Sequence, residues 1–199
     1  MTVQVALLRA VNVGGSPPVS MGDLRRVVQH LGGRDPRTHL TTGNVVFDLD
    51  GPGGPTLERR LERELRRRLD LPTAAIVRTG TELAEALDRN PFPNEAERDP
   101  AHLVLVFLKE APPPESVRAI GTALAGPEPV TVVGRTAYAV YPNGIARSRL
   151  TLTRIEKALG TSGTGRNWNT VRRLAELAAA RTTGTPRPTR SSARERPGG

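Results

Sequence analysis

Cysteine is absent from the 199 residues. That excludes disulfides, thiolate nucleophiles and cysteine-ligated metals. Aromatic residues make up 3%, so the core has to be aliphatic, and the several stacked rings of an RNA reader are missing. Lysine is nearly absent too: Lys109 and Lys157 are the only two. No apolar run approaches the ~20 residues of a membrane-spanning helix. The stretch from Met1 to Arg9 has neither a basic leader nor a long apolar segment and reads as a strand. A cytoplasmic location away from membranes is expected. Hydrolase signatures are also missing, with no G-x-S-x-G and no H-E-x-x-H. His30, His39 and His102 are scattered over a helix and two strands, whereas metal sites need clustered ligands. Neither a metal nor a cofactor is expected.

The net charge is +9. Residues 181–199 carry five Arg and one Glu, which leaves a modest +5 on the body. Because the bases are almost all Arg, planar donor forks for carboxylate or phosphate are plentiful. A phosphate-bearing or nucleic-acid partner fits this balance, but so does a solvated basic surface.

Hydrophobic periodicity orders the chain. Residues 3–9 form a strand, and Ser20 caps a helix through Leu24, Val27, Val28 and Leu31. Strands follow at 37–40 and 44–49, joined at Thr42-Gly43. Thr56 is expected to cap a helix through Leu57, Leu61, Leu65 and Leu69, with its Arg and Glu residues mostly outward. A strand at 73–78 and a helix at 81–89 complete the first half. The second half repeats the order: strand 102–108, helix 114–125, strands 130–133 and 137–141, helix 151–159, a short strand near Thr164, and helix 171–180. The expectation is an α+β fold of two packed ferredoxin-like (split βαβ, βαββαβ) subdomains from an internal duplication. They span 1–90 and 101–180, with a linker at 91–100 and a disordered basic tail at 181–199.

Three polar clusters carry the functional signal. In the first, a strand ends at Arg9, Asn12 and the paired Gly14-Gly15, where backbone N–H groups can approach a ligand. The second is the turn Thr42-Gly43-Asn44. The third runs Arg166-Asn167-Trp168-Asn169-Thr170, with Arg149 nearby in sequence. In it Asn169 or Thr170 is expected to cap the last helix, whose N-terminus suits an anion. The Gly-rich stretch at 160–165 is not a P-loop, since Arg166-Asn167 stands where Lys and Ser/Thr are needed and a helix precedes it.

These clusters also carry a likeness. Leu7-Leu8-Arg9-Ala10-Val11-Asn12-Val13-Gly14-Gly15, Met21-Gly22-Asp23-Leu24-Arg25, Thr42-Gly43-Asn44-Val45-Val46-Phe47, Asn90-Pro91-Phe92, Ser148-Arg149-Leu150-Thr151 and Arg166-Asn167-Trp168-Asn169-Thr170 resemble the domain of unknown function (DUF) 1697 family of bacterial proteins. The resemblance implies an α+β fold of two similar subdomains and no known activity. The chain departs from the family pattern at Ser16-Pro17-Pro18, where members often carry Lys, and at Arg149, which replaces a Lys.

The expected function is a binding module for an anionic ligand: a nucleotide, a phosphate-bearing metabolite or a nucleic-acid segment. Arg9 and Arg166 would contact the anion, and Asn12, Asn44, Asn167 and Asn169 would orient it. One alternative is an enzyme acting on a small phosphorylated or carboxylated metabolite. The other is a scaffold whose polar motifs only join the two halves, in which case these side chains would be bonded to one another.

Overall fold

The structure, a computed structural model, describes residues 1–12, 19–124 and 126–182. The first half runs β1 (Thr2–Leu8), α1 (Met21–His30), β2 (Arg34–His39), β3 (Asn44–Leu49), α2 (Gly54–Leu69), β4 (Ala75–Thr79), α3 (Gly80–Asp88). A short α4 (Pro93–Arg98) leads into the second. That half runs β5 (Leu103–Leu108), α5 (Pro114–Leu124), β6 (Val130–Val133), β7 (Thr136–Val140), a single 3-10 turn at Ile145–Arg147, α6 (Leu152–Leu159), β8 (Gly163–Asn167), α7 (Trp168–Thr182). The fold is mixed α+β, with two four-stranded antiparallel sheets in the orders β2-β3-β1-β4 and β6-β7-β5-β8.

Each sheet buries both faces, which is why β5 is apolar at every position. One face of the first sheet packs Ala6, Leu8 and Phe47 under α1 and α2. One face of the second packs Val104, Val106 and Leu108 under α5 and α6. Between the sheets a third core joins Val5, Leu7 and Ile76 to Leu105, Phe107 and Tyr138, closed by Leu83 of α3 and Leu174 of α7. Tyr138 donates its hydroxyl to the Ala86 carbonyl across this junction at 2.6 Å.

Several expectations are corrected. Helix α2 starts at Gly54 with Gly53 as its cap, so Thr56 lies inside the helix. Its acidic side chains are not all outward: Glu58 is fully buried, because the backbone of edge strand β4 needs acceptors. The linker contains α4, opened by Pro93 at a first-turn position where a missing N–H costs nothing. Strand β2 begins earlier, at Arg34, and tolerates Pro36 because it is an edge strand with a register shift. Helix α7 begins at Trp168 and runs to Thr182, so the body does not end at residue 180. Arg181 is nearly buried and donates to Asp48 at 2.8 Å, fastening α7 to β3. The rest of the expected tail, 183–199, and the segment 13–18 lie outside the described residues.

On α2, Glu64 accepts hydrogen bonds from Arg67 and Arg68, both at 2.8 Å, which lower its pKa from 4.5 to about 2. A depressed carboxyl stabilises the folded state fully above its ordinary value and loses that contribution as pH falls toward the folded value. Urea midpoints of the wild type should therefore fall between pH 4.5 and about 2, and the fall should be smaller in Glu64→Gln. Equal pH slopes for the two proteins would refute this.

Candidate binding cleft between the two halves

Arg166 projects from β8 toward the first half. All five of its N–H donors find acceptors. Nε donates to Asn44 Oδ1 at 2.6 Å. Nη1 donates to Thr164 Oγ1 and the Gly165 carbonyl, both at 2.8 Å. Nη2 donates to the Leu8 carbonyl at 2.7 Å and the Thr42 carbonyl at 3.0 Å. A guanidinium has five donors, so none is left for direct contact with a ligand. Burial pushes its pKa down to about 10, so it remains charged at neutral pH. None of its acceptors is a carboxylate, which leaves an unneutralised cation here.

The other predicted residues divide by place. Arg9 forms a two-pronged pair with Glu156 of α6, Nε–Oε1 3.1 Å and Nη2–Oε2 2.9 Å. Asn12 bridges two backbone segments. It accepts from Val19 N at 2.8 Å and donates to the Thr41 carbonyl at 2.7 Å. Asn44 is fully buried and donates to the His39 carbonyl at 2.9 Å. Gly43 has φ +78°, and a Cβ there would meet Leu8 Cβ at 2.8 Å, so the turn requires glycine on both counts. Asn167, not Asn169 or Thr170, caps α7: its Oδ1 accepts from Thr170 N at 3.0 Å and from the Thr170 hydroxyl at 2.7 Å. The cap moves because the helix starts earlier than the apolar period shows. Trp168 packs on the inter-sheet core. Asn169 and Arg149 have exposed side chains. Gly14 and Gly15 lie outside the described residues.

The bonds across the junction occur twice, with the halves exchanged. Arg166 of β8 donates to the carbonyl that ends β1, Leu8. Arg78 of β4 donates to the carbonyl that ends β5, Leu108. Arg9, one residue past β1, pairs with Glu156, which accepts from Gly163 N at 2.8 Å. Lys109, one residue past β5, pairs with Glu62 at 2.5 Å, and Glu62 accepts from Ala75 N at 3.0 Å. The registers agree, since Leu8 faces Ala75 and Leu108 faces Gly163.

Beside Arg166 the halves frame a cleft of about 540 Å³. Its floor is Val104, Val106 and Ile155, and Thr164 to Asn167 form one wall. Leu40, 55% exposed, and Ile145, 48% exposed, stand on its rim. Ala10 (φ 51°) and Leu40 (φ 58°) hold left-handed backbone there. The described lining holds no Asp, Glu, His or Lys. Among the described residues no group of three His, Cys, Asp or Glu could hold a metal, and no helix is long and apolar enough to cross a membrane. A second hollow, about 750 Å³, is lined by Arg59, Arg63 and Arg66 of α2 and by Lys109, and shares no residue with the cleft.

Sequence reasoning missed Glu156, Leu152, Leu40 and Ile145 as site elements. The helical period at Ile155 and Leu159 placed α6 against the sheet, but nothing local said that Glu156 would meet a residue 147 positions away.

The family described as protein of unknown function (DUF1697) matches residues 1–138. The chain belongs to this family. The match includes the first two polar clusters and stops before Arg149 and Arg166. No curated protein matches the chain. Among solved structures, the conserved bacterial protein SP0830 from Streptococcus pneumoniae is similar, with a TM-score of 0.68 and 19% identity over 89% of this chain and 98% of that one. At that identity the likeness concerns the fold.

Proposed function

We propose that this DUF1697 protein is a binding module for an anionic ligand with an apolar portion, taken up in the cleft between its two similar subdomains. The observation that carries the reading is the pairing, in one cleft, of an apolar floor and rim with the Arg166 charge that has no carboxylate partner. A half-buried cation of this kind raises the local potential even when its donors are occupied, and low-dielectric walls focus the field. Arg9, Asn44 and Arg166 then act through the frame: they hold the halves in register, and the ligand sits beside them. This merges the binding reading with the scaffold reading. An enzyme is less favoured, because acid–base chemistry needs a titratable group in reach. In the described lining the titratable groups are Arg166, whose donors are all taken, and Tyr141, whose hydroxyl donates to the Leu150 carbonyl at 3.3 Å and whose pKa burial pushes up, away from neutrality; residues 13–18 contain none by sequence. A nucleic-acid segment fits the Arg59, Arg63 and Arg66 row better than the cleft. We also infer that the halves are ferredoxin-like units from an internal duplication, supported by matching strand orders and the exchanged bonds, and that the protein works in the cytoplasm.

The test uses anilinonaphthalene sulfonate, an anion with an apolar body. Its fluorescence should rise saturably with wild-type protein. Leu40→Asp with Ile145→Asp, two changes at exposed positions, should abolish the saturable part while the melting temperature holds. Unchanged binding by the double variant, or no saturable binding by the wild type, overturns the reading.

A further inference from the structure

The two halves differ along their last edge strand in a way that bears on the ligand. In both sheets the last strand in sequence is an edge, β4 in the first and β8 in the second. Along an antiparallel edge, every second residue points its N–H away from the neighbouring strand. On β4 the outward amides are Ala75, Val77 and Thr79. Each donates to a carboxylate: to Glu62 at 3.0 Å, Glu58 at 2.9 Å and Glu82 at 2.8 Å.

The register transfers this to β8. Lys109 N donates to the Ser162 carbonyl at 2.8 Å, so Gly163, Gly165 and Asn167 are the outward residues. Gly163 N donates to Glu156 at 2.8 Å, as Ala75 does to Glu62. The Gly165 and Asn167 amides, the counterparts of Val77 and Thr79, have no acceptor among the described residues; both residues lie on the wall of the cleft, and Gly165 is the one that stands where Val77 meets Glu58. Aligning Glu62 with Glu156 puts Leu152 at the place of Glu58. Leu152 is also the first residue of α6, whereas α2 begins a full turn before Glu58. The missing turn and the missing carboxylate together leave the cleft open at the bare amide.

Resting on the reading of the cleft above, we propose that it is a carboxylate site. The ligand's carboxylate accepts from Gly165 N–H in the place that Glu58 fills in the other half. Its aliphatic body lies over Val104, Val106 and Ile155. The carboxylate neutralises Arg166 electrostatically, as Glu58, 3.7 Å away, neutralises Arg78. Outward amides on one strand are about 6.8 Å apart, so one carboxylate serves Gly165 alone. A fatty acid and the C-terminus of an apolar peptide share this chemistry.

The experiment follows the Gly165 amide of the full-length, nitrogen-15-labelled chain by NMR. Probes are octanoate, octanol, and acetyl-leucyl-leucine as free acid and as amide. The expected result is a saturable downfield shift of Gly165 with octanoate, about tenfold tighter than octanol, as fits one charged hydrogen bond. A shift with the peptide acid but not with octanoate assigns the source to a chain terminus and supports the proposal equally. Leu152→Glu carries its own carboxylate to Gly165 and should abolish octanoate binding; Leu152→Gln, uncharged, should weaken it and serves if the Glu variant does not fold. If octanol binds as tightly as octanoate and Gly165 stays still, the carboxylate proposal falls and the cleft reading stands. If no probe binds and anilinonaphthalene sulfonate also fails, both fall.

Discussion

Arg166→Ala is expected to lower the unfolding free energy by about 3 kcal/mol. Three acceptors of the first half, the Leu8 and Thr42 carbonyls and Asn44 Oδ1, lose the Arg166 donors at once, and only the Leu8 carbonyl keeps another, the Thr164 hydroxyl at 3.3 Å. A buried acceptor left dry costs about 1–3 kcal/mol. The full sum is not reached, because removing a desolvated cation returns part of the loss. Arg166→Lys should recover only part of the stability, since an ammonium has three donors and no planar fork to serve five acceptors. Urea denaturation of the three proteins, at constant m-value, measures this. A loss below about 1 kcal/mol for the alanine variant would mean that Arg166 does not fasten the halves.

Glu58→Leu should be the more damaging change, at about 3–5 kcal/mol, the usual result of stripping one partner from a buried ion pair. Glu58 is fully buried and Arg78 is 3% exposed. Glu58 Oε1 lies 3.7 Å from Arg78 Nη1 and also accepts from Val77 N at 2.9 Å. Leucine would leave the Arg78 charge with only Glu82 of the two carboxylates that offset it, and the Val77 amide without an acceptor. Desolvation already holds the Arg78 pKa down to about 10, and it would fall further without the carboxylate. Leucine is what the second half carries at the corresponding position, Leu152, where the chain folds without a carboxylate. The comparison therefore separates intrinsic tolerance from local need. β8 meets the cleft, but on β4 α2 covers the amide and excludes water. Thermal unfolding of Glu58→Leu beside Leu152→Glu decides it: the first should melt far below wild type, the second close to it. Equal and small effects would show that water reaches both edges.

Much of the fold was legible along the chain. Ser20 announces its helix because an N-cap is a local bond, three residues long. Alternation and apolar runs marked the strands, since side-chain direction repeats every two residues. Boundaries slipped where local signals compete. Asn167, Asn169 and Thr170 can each cap a helix, and only the packing of Trp168 on the inter-sheet core selects Asn167. Arg9, Asn44 and Arg166 were legible as special but not for what they touch. Arg166 meets Leu8 across 158 positions, through a backbone carbonyl that every residue possesses.

The sequence by itself determined the order of the strands and longer helices, the aliphatic core and the concentration of polar motifs at strand ends, all set by periodicity, composition and capping within a few residues. Only the tertiary structure decided that the arginines fasten the halves and that the cleft beside them keeps a bare amide at Gly165. Hydrogen-bond partners and edge exposure depend on which strands meet in space, and that is a property of the packed chain.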